Sequence, residues 1–128
     1  VEDYDEDVWT EPMSRQTADT LRQAMISVVA DGSARRLDDG LEGFEVGGKT
    51  GTAQLGTPEP SSHAWIIGFA GPPGETPHVA VAVIVEGQPG VSEQTGGTVA
   101  APIAAAVMQQ ALAAPDRAEQ DGASGSGG

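Results

Sequence analysis

Apolar residues along this chain recur with two different periods, and the switches between them mark out helices and strands. After Pro12 and Ser14, the residues Ala18, Leu21, Met25 and Val28 return every three or four positions. That predicts a helix with Ser14 as its N-cap and Gly32 as its stop. Ser33 to Gly43 is polar and reads as a connection, with Arg35 and Arg36 expected to meet Asp38 or Asp39. Val46 to Leu55 reads as a strand, and Gly56 to Ser62, which contains Pro58 and Pro60, as a loop. His63 to Ala70 and His78 to Glu86 are predicted as a second and a third strand. The turn-forming run Pro72 to Pro77 joins them, and connections this short make neighbouring strands antiparallel. Trp65 and Phe69, with Ile67 between them, share one strand face and are expected in the core. Val79 to Val85 is apolar at every position. A strand with one wet face alternates, so this one is expected to be covered on both. A Gly- and Pro-rich loop, Gly87 to Gly97, leads into a second helix from about Thr98 to Ala113, with Pro102 in its first turn and Ile103, Val107 and Ala111 at helical spacing.

Helix, three antiparallel strands, helix is an α+β arrangement, with the Val46 to Leu55 strand expected at a sheet edge because its glycines leave a side open. Residues 12–114 carry this pattern. Residues 1–11 form an acidic lead-in, read as exposed, with Val8 and Trp9 as a strand end or an anchor; residues 115–128 read as a disordered Gly/Ser-rich tail.

Charge narrows the partners. Nineteen carboxylates against six cationic side chains give a formal charge of −13, which argues against nucleic acid and against docking on anionic lipid. No run reaches the ~18 apolar residues of a membrane span, so any anchor is expected outside this chain. There is no cysteine. His63 and His78 lack a ligand spacing and are read as structural or surface histidines, so neither a metal nor a cofactor is expected.

Against this acidic background Lys49 is the only lysine, set among glycines and hydroxyls in Val46-Gly47-Gly48-Lys49-Thr50-Gly51-Thr52-Ala53-Gln54-Leu55. On a strand, Thr50 and Thr52 share one face while Lys49 and Gly51 take the other. A bare Gly51 would let an extended ligand lie against the backbone, and the ammonium suits an anionic group such as a carboxylate. Gly43 to Thr50 also fits the P-loop spacing, but a P-loop ends a buried strand and opens a helix. Here an acidic run precedes it, and Gly51, Gly56, Pro58 and Pro60 follow, so that reading is set aside.

Four stretches together carry a resemblance: Pro12-Met13-Ser14 opening a helix, Val46 to Gln54 with its Lys-Thr-Gly, His63-Ala64-Trp65-Ile66-Ile67-Gly68-Phe69-Ala70, and Gly96-Gly97-Thr98-Val99-Ala100-Ala101-Pro102-Ile103. In order and spacing they resemble the closing part of the transpeptidase domain of class B penicillin-binding proteins, over roughly Val8 to Ala114, within the serine β-lactamase and D,D-peptidase superfamily. The resemblance implies part of a β-lactamase/transpeptidase-like fold. It also implies peptidoglycan stem peptides ending in D-Ala-D-Ala and β-lactams as ligands, and a place on the extracytoplasmic face of a bacterial membrane. By the same resemblance, Lys49 holds the polar network of the cleft, Thr50 and Thr52 bind the substrate carboxylate, the Thr52 N–H is an oxyanion donor, and Gly51 keeps the strand open for substrate.

The chain departs from the family in one large respect. The family's nucleophile sits in Ser-x-x-Lys, and a second motif is Ser-x-Asn. Val46 stands three places before the single lysine, and the chain contains no asparagine. The chain is therefore expected to need the rest of its own transpeptidase domain for catalysis. A non-catalytic binding module or degenerate relative that recognises the D-Ala-D-Ala carboxylate is the alternative. A β-lactamase or D,D-carboxypeptidase uses a similar strand. Whether a glycosyltransferase works alongside is left open.

Overall fold

The computed structural model describes residues 10–56, 61–89, 91 and 94–114. Most of the acidic lead-in, the middle of the Gly56 to Ser62 loop and the Gly/Ser-rich tail lie outside the described residues. The elements are α1 (Arg15–Asp31), β1 (Glu45–Leu55), β2 (Ser61–Gly71), β3 (Val79–Val85) and α2 (Ala101–Ala113). They have the predicted order.

Both ends of α1 follow their caps. The Ser14 hydroxyl accepts from the Thr17 N–H at 3.2 Å, and the Gly32 N–H returns to the Val28 carbonyl at 3.0 Å, satisfying groups a helix end would otherwise strand. The helix lies along β1 with Val29 buried and Met25, Ile26 and Val28 half-buried, whereas Leu21 and Ala18 stand exposed. The apolar stripe is thus rotated from the one expected. Arg22 explains the rotation, because its guanidinium donates to Glu45 at the head of β1 and to the Glu75 carbonyl in the β2–β3 turn. A long arginine stem with a satisfied head can line a packed face in place of a leucine.

The sheet has order β1-β2-β3, antiparallel throughout, with Lys49 opposite Ile67 and Ile66 opposite Val83. Both helices cover the same face, where Val46, Ile66 and Ala70 meet Val29, Ala101, Ala104 and Met108. The other face carries Ile67 and Ile84, 42% and 69% exposed, with Trp65 and Phe69 half-buried. Two expectations change here. Trp65 and Phe69 are on the uncovered face rather than in the core, and β3 alternates, Val79, Val81, Val83 and Val85 packing inward while Ala80, Ala82 and Ile84 face out. An all-apolar strand does not specify which cover is present within these residues.

The polar connection after α1 contributes to the core. A 3₁₀ turn, Arg35–Asp38, places Leu37 completely out of solvent, with Ala34 and Leu41 also buried; Arg36 pairs with Asp39 at 3.7 Å on the surface, as expected. Leu37 fits because Gly48 and Gly68, paired across β1 and β2, leave a pit in the sheet. A Cβ on Gly48 would stand 2.3 Å from Leu37 Cδ2, and one on Gly68 2.8 Å from it. Leu37→Ala would empty this socket next to Lys49, and is expected to cost about 2–5 kcal/mol of unfolding free energy in the complete domain. Denaturant unfolding measures it; a loss near zero would mean the pit collapses around alanine.

α2 is preceded by a π-helical turn, Gly96–Ala100, closed by reciprocal bonds between Thr95 and Thr98, each hydroxyl accepting the other's N–H at 3.3 Å. Pro102 sits in the first turn of α2. The buried side is Ala101, Ala104, Ala105 and Met108, while Ile103, Val107 and Ala111 face solvent. The expected face is therefore the wrong one of two apolar faces. Small alanines let this helix sit close on the sheet, and spacing alone cannot choose between the two sides.

Candidate functional site

The four residues singled out in the sequence lie in a row on the edge strand. Among the described residues β1 pairs only with β2, so its outer edge is open. Which backbone groups face that edge follows from a bond elsewhere in the sheet. The His78 N–H donates to the Ala70 carbonyl at 3.0 Å, which directs the backbone groups of Ala70 toward the β3 side. Alternation along β2 then turns Trp65, Ile67 and Phe69 toward β1, so their partners Gly51, Lys49 and Gly47 make the ladder bonds. The N–H and C=O groups of Thr50 and Thr52 accordingly point outward. The Lys49 ammonium curls over the same edge and donates to the Thr50 carbonyl at 2.6 Å.

Side chains divide as the strand period requires. Thr50 and Thr52 are on the face of the helices, Thr50 half-buried and Thr52 exposed; Lys49 is exposed on the other face. Among the described residues no carboxylate lies within ion-pair distance of Lys49, so its charge is free for an external anion. The Thr50 Oγ1 is 2.7 Å from the Ser33 Oγ, which reaches it from the end of α1.

Gly51 has a second neighbour that was not foreseen. On the uncovered face the Trp65 indole lies directly across it, and a Cβ at position 51 would fall 2.0 Å from Trp65 Cε2. Gly47 and Phe69 repeat the arrangement four residues away, with Phe69 Cζ 2.3 Å from a Cβ on Gly47. Ring-over-glycine pairs of this kind stiffen a strand whose glycines would otherwise weaken it. The signal was in the sequence: two glycines four apart on one strand, two aromatics four apart on the next, in matching register. Room for an indole is therefore one reason for glycine at 51, besides any approach of ligand.

β1 continues as a strand through Thr50 to Leu55 with no helix opening after Lys49, which disposes of the P-loop. His63 Nδ1 accepts the Gly87 N–H at 2.9 Å, and the ring ties the exit of β3 to β2. No group of three His, Cys, Asp or Glu among the described residues is placed to hold a metal.

The family model of the penicillin-binding protein transpeptidase domain matches residues 4–109. The chain belongs to that family. Among transpeptidase-family relatives it is 42% identical to stage V sporulation protein D of Bacillus subtilis over 104 residues, which is 78% of this chain and 15% of that protein. It is 40% identical to the peptidoglycan D,D-transpeptidase PbpA of Mycolicibacterium smegmatis over 102 residues, 78% of this chain and 20% of that protein. The fold is similar to that of penicillin-binding protein A from Mycobacterium tuberculosis, solved as a ceftriaxone acyl-enzyme complex, with a TM-score of 0.62 and 39% identity. That match covers 76% of this chain and 21% of the other. This transpeptidase-family chain thus spans about a fifth or less of the length of these relatives.

Proposed function

We propose that this chain forms the Lys-Thr-Gly wall of the active site in a longer serine-type peptidoglycan D,D-transpeptidase, one that binds β-lactams and cross-links cell-wall stem peptides. The observation that carries this reading is the edge of β1, open among the described residues, where outward N–H and C=O groups at Thr50 and Thr52 stand beside a Lys49 with no described carboxylate partner, in a chain 39% identical to a protein solved as a ceftriaxone acyl-enzyme.

In this reading a stem peptide ending in D-Ala-D-Ala lies along β1 as an added strand. Its terminal carboxylate accepts from the hydroxyls of Thr50 and Thr52, and Lys49 supplies the positive potential that draws it in. The carbonyl under attack directs its oxygen at the Thr52 N–H, one of two donors that a tetrahedral intermediate needs. Gly51 keeps that edge of the strand free of a side chain. The serine nucleophile and its lysine come from the rest of the transpeptidase domain, and the site faces the extracytoplasmic side of the membrane. No described helix is long and apolar enough to cross a membrane.

Thr52 provides the test. In the complete protein, Thr52→Val removes a charge-assisted contact of roughly 1.5–3 kcal/mol and should slow acylation by benzylpenicillin about tenfold to a hundredfold. Because Thr52 is exposed, folding should be little affected. An unchanged acylation rate would remove the Thr52 hydroxyl from the carboxylate site.

A further inference from the structure

We infer that Ser33 is a positioning residue for ligand capture, acting through Thr50 by fixing which way the Thr50 hydroxyl donates. This rests on the reading above that Thr50 meets the ligand carboxylate.

Ser33 lies outside the four stretches that carry the resemblance, yet its backbone is held on three sides. Its neighbours Gly32 and Ala34 both donate to the Val28 carbonyl, at 3.0 and 3.3 Å, and Ala34 is completely buried. On its far side the Ser33 carbonyl abuts Gly97, where a Cβ would stand only 2.1 Å from the oxygen. The end of α1, the entry to α2 and the edge strand therefore converge on this one residue. The hydroxyl it presents is 2.7 Å from Thr50 Oγ1, the short distance of a well-formed O–H···O bond.

Two hydroxyls in contact share one bond and have two protons, so the unliganded pair can be ordered either way. A carboxylate removes that freedom, because it only accepts. Once it is bound, the Thr50 proton must point to the carboxylate, and Thr50 Oγ1 must in turn accept the proton of Ser33. The order Ser33 to Thr50 to carboxylate is the only one in which each bond has a donor. A donor that is itself hydrogen-bonded in such a chain is polarised and binds more strongly. Thr50 is β-branched with few χ1 choices, and the bond to Ser33 selects the one that keeps Oγ1 at this junction.

The test uses the complete transpeptidase with two probes, benzylpenicillin and its methyl ester, which lacks the carboxylate. The quantity read is the second-order acylation rate constant, obtained by competition with a fluorescent penicillin. Ser33→Ala should lower it about three- to tenfold for benzylpenicillin and leave the ester unchanged. Ser33→Thr, which restores a hydroxyl at the same point, should recover the wild-type rate. In a Thr50→Val background Ser33→Ala should have no further effect, since its only route is through Thr50. Equal losses for acid and ester, or failure of Ser33→Thr to recover, would overturn the inference and make Ser33 a structural residue. If Thr50→Val loses the preference for the acid while Ser33→Ala keeps it, the inference fails and the reading of Thr50 stands. If Thr50→Val keeps that preference, the carboxylate role of Thr50 fails and takes the inference with it.

Discussion

Lys49→Ala in the complete transpeptidase is expected to slow penicillin acylation by about a hundredfold or more, with an unfolding free energy within about 0.5 kcal/mol of wild type. The two halves of this expectation have separate grounds. Lys49 is exposed, lies on the face that neither helix covers, and among the described residues has its ammonium bonded only to the carbonyl of its own neighbour Thr50. Nothing in the described packing depends on it. Its value in the proposed site is electrostatic: on a chain of formal charge −13, it is the one lysine, at the edge proposed to take an anion, and removing it would leave the ligand to approach a negative protein. The check pairs acylation kinetics with a denaturant melt on the same preparation. Loss of acylation that tracks loss of folded protein would show that Lys49 is structural.

The second large effect concerns the 128-residue chain by itself. It is expected to remain unlabelled by fluorescent penicillin and to self-associate instead of running as a compact monomer. The nucleophile motif is missing, so no arrangement of Lys49 and the threonines can form the acyl bond. Association follows from the sheet. Ile84 and Ile67 are 69% and 42% exposed on the face opposite the helices, beside Ala80, Ala82 and the half-buried rings of Trp65 and Phe69. A contiguous apolar surface of this kind drives aggregation unless it is covered, and among the described residues both outer strands of the sheet offer unpaired edges as well. Joining the chain to the rest of the transpeptidase domain should restore labelling and monodispersity together. Size-exclusion chromatography beside a denaturing gel of labelled protein decides the matter; a monodisperse, covalently labelled isolated chain would refute both parts.

How much of this was legible beforehand varies with the kind of information. Caps and turns are local, so Ser14, Gly32, the Pro72 to Pro77 turn and Pro102 marked the elements to within a few residues. The edge position of Lys49 was legible too, from the glycines around it. Facing was not. In α2 two faces are apolar, and the sheet selected alanines over Ile103 and Val107 because close approach rewards small side chains. In α1 an ion pair between residues 23 positions apart, Arg22 and Glu45, turned the helix, and no window along the sequence contains both. Leu37 sits in a run that looks like a surface connection, and its burial depends on a pit made by glycines from two other strands. The candidate site divides in the same way: Lys49, Thr50, Gly51 and Thr52 announce themselves by motif, whereas Ser33 and Trp65 reach that strand only through folding.

The indole across Gly51 also sets what a mutation at the centre of β1 can do. Any side chain at position 51 collides with Trp65, its nearest ring atom 2.0 Å from where a Cβ would be. A side chain there is accommodated only if the indole moves or is replaced by something smaller, so positions 51 and 65 are tied to each other. A single substitution at the centre of β1 is thus felt on two strands at once.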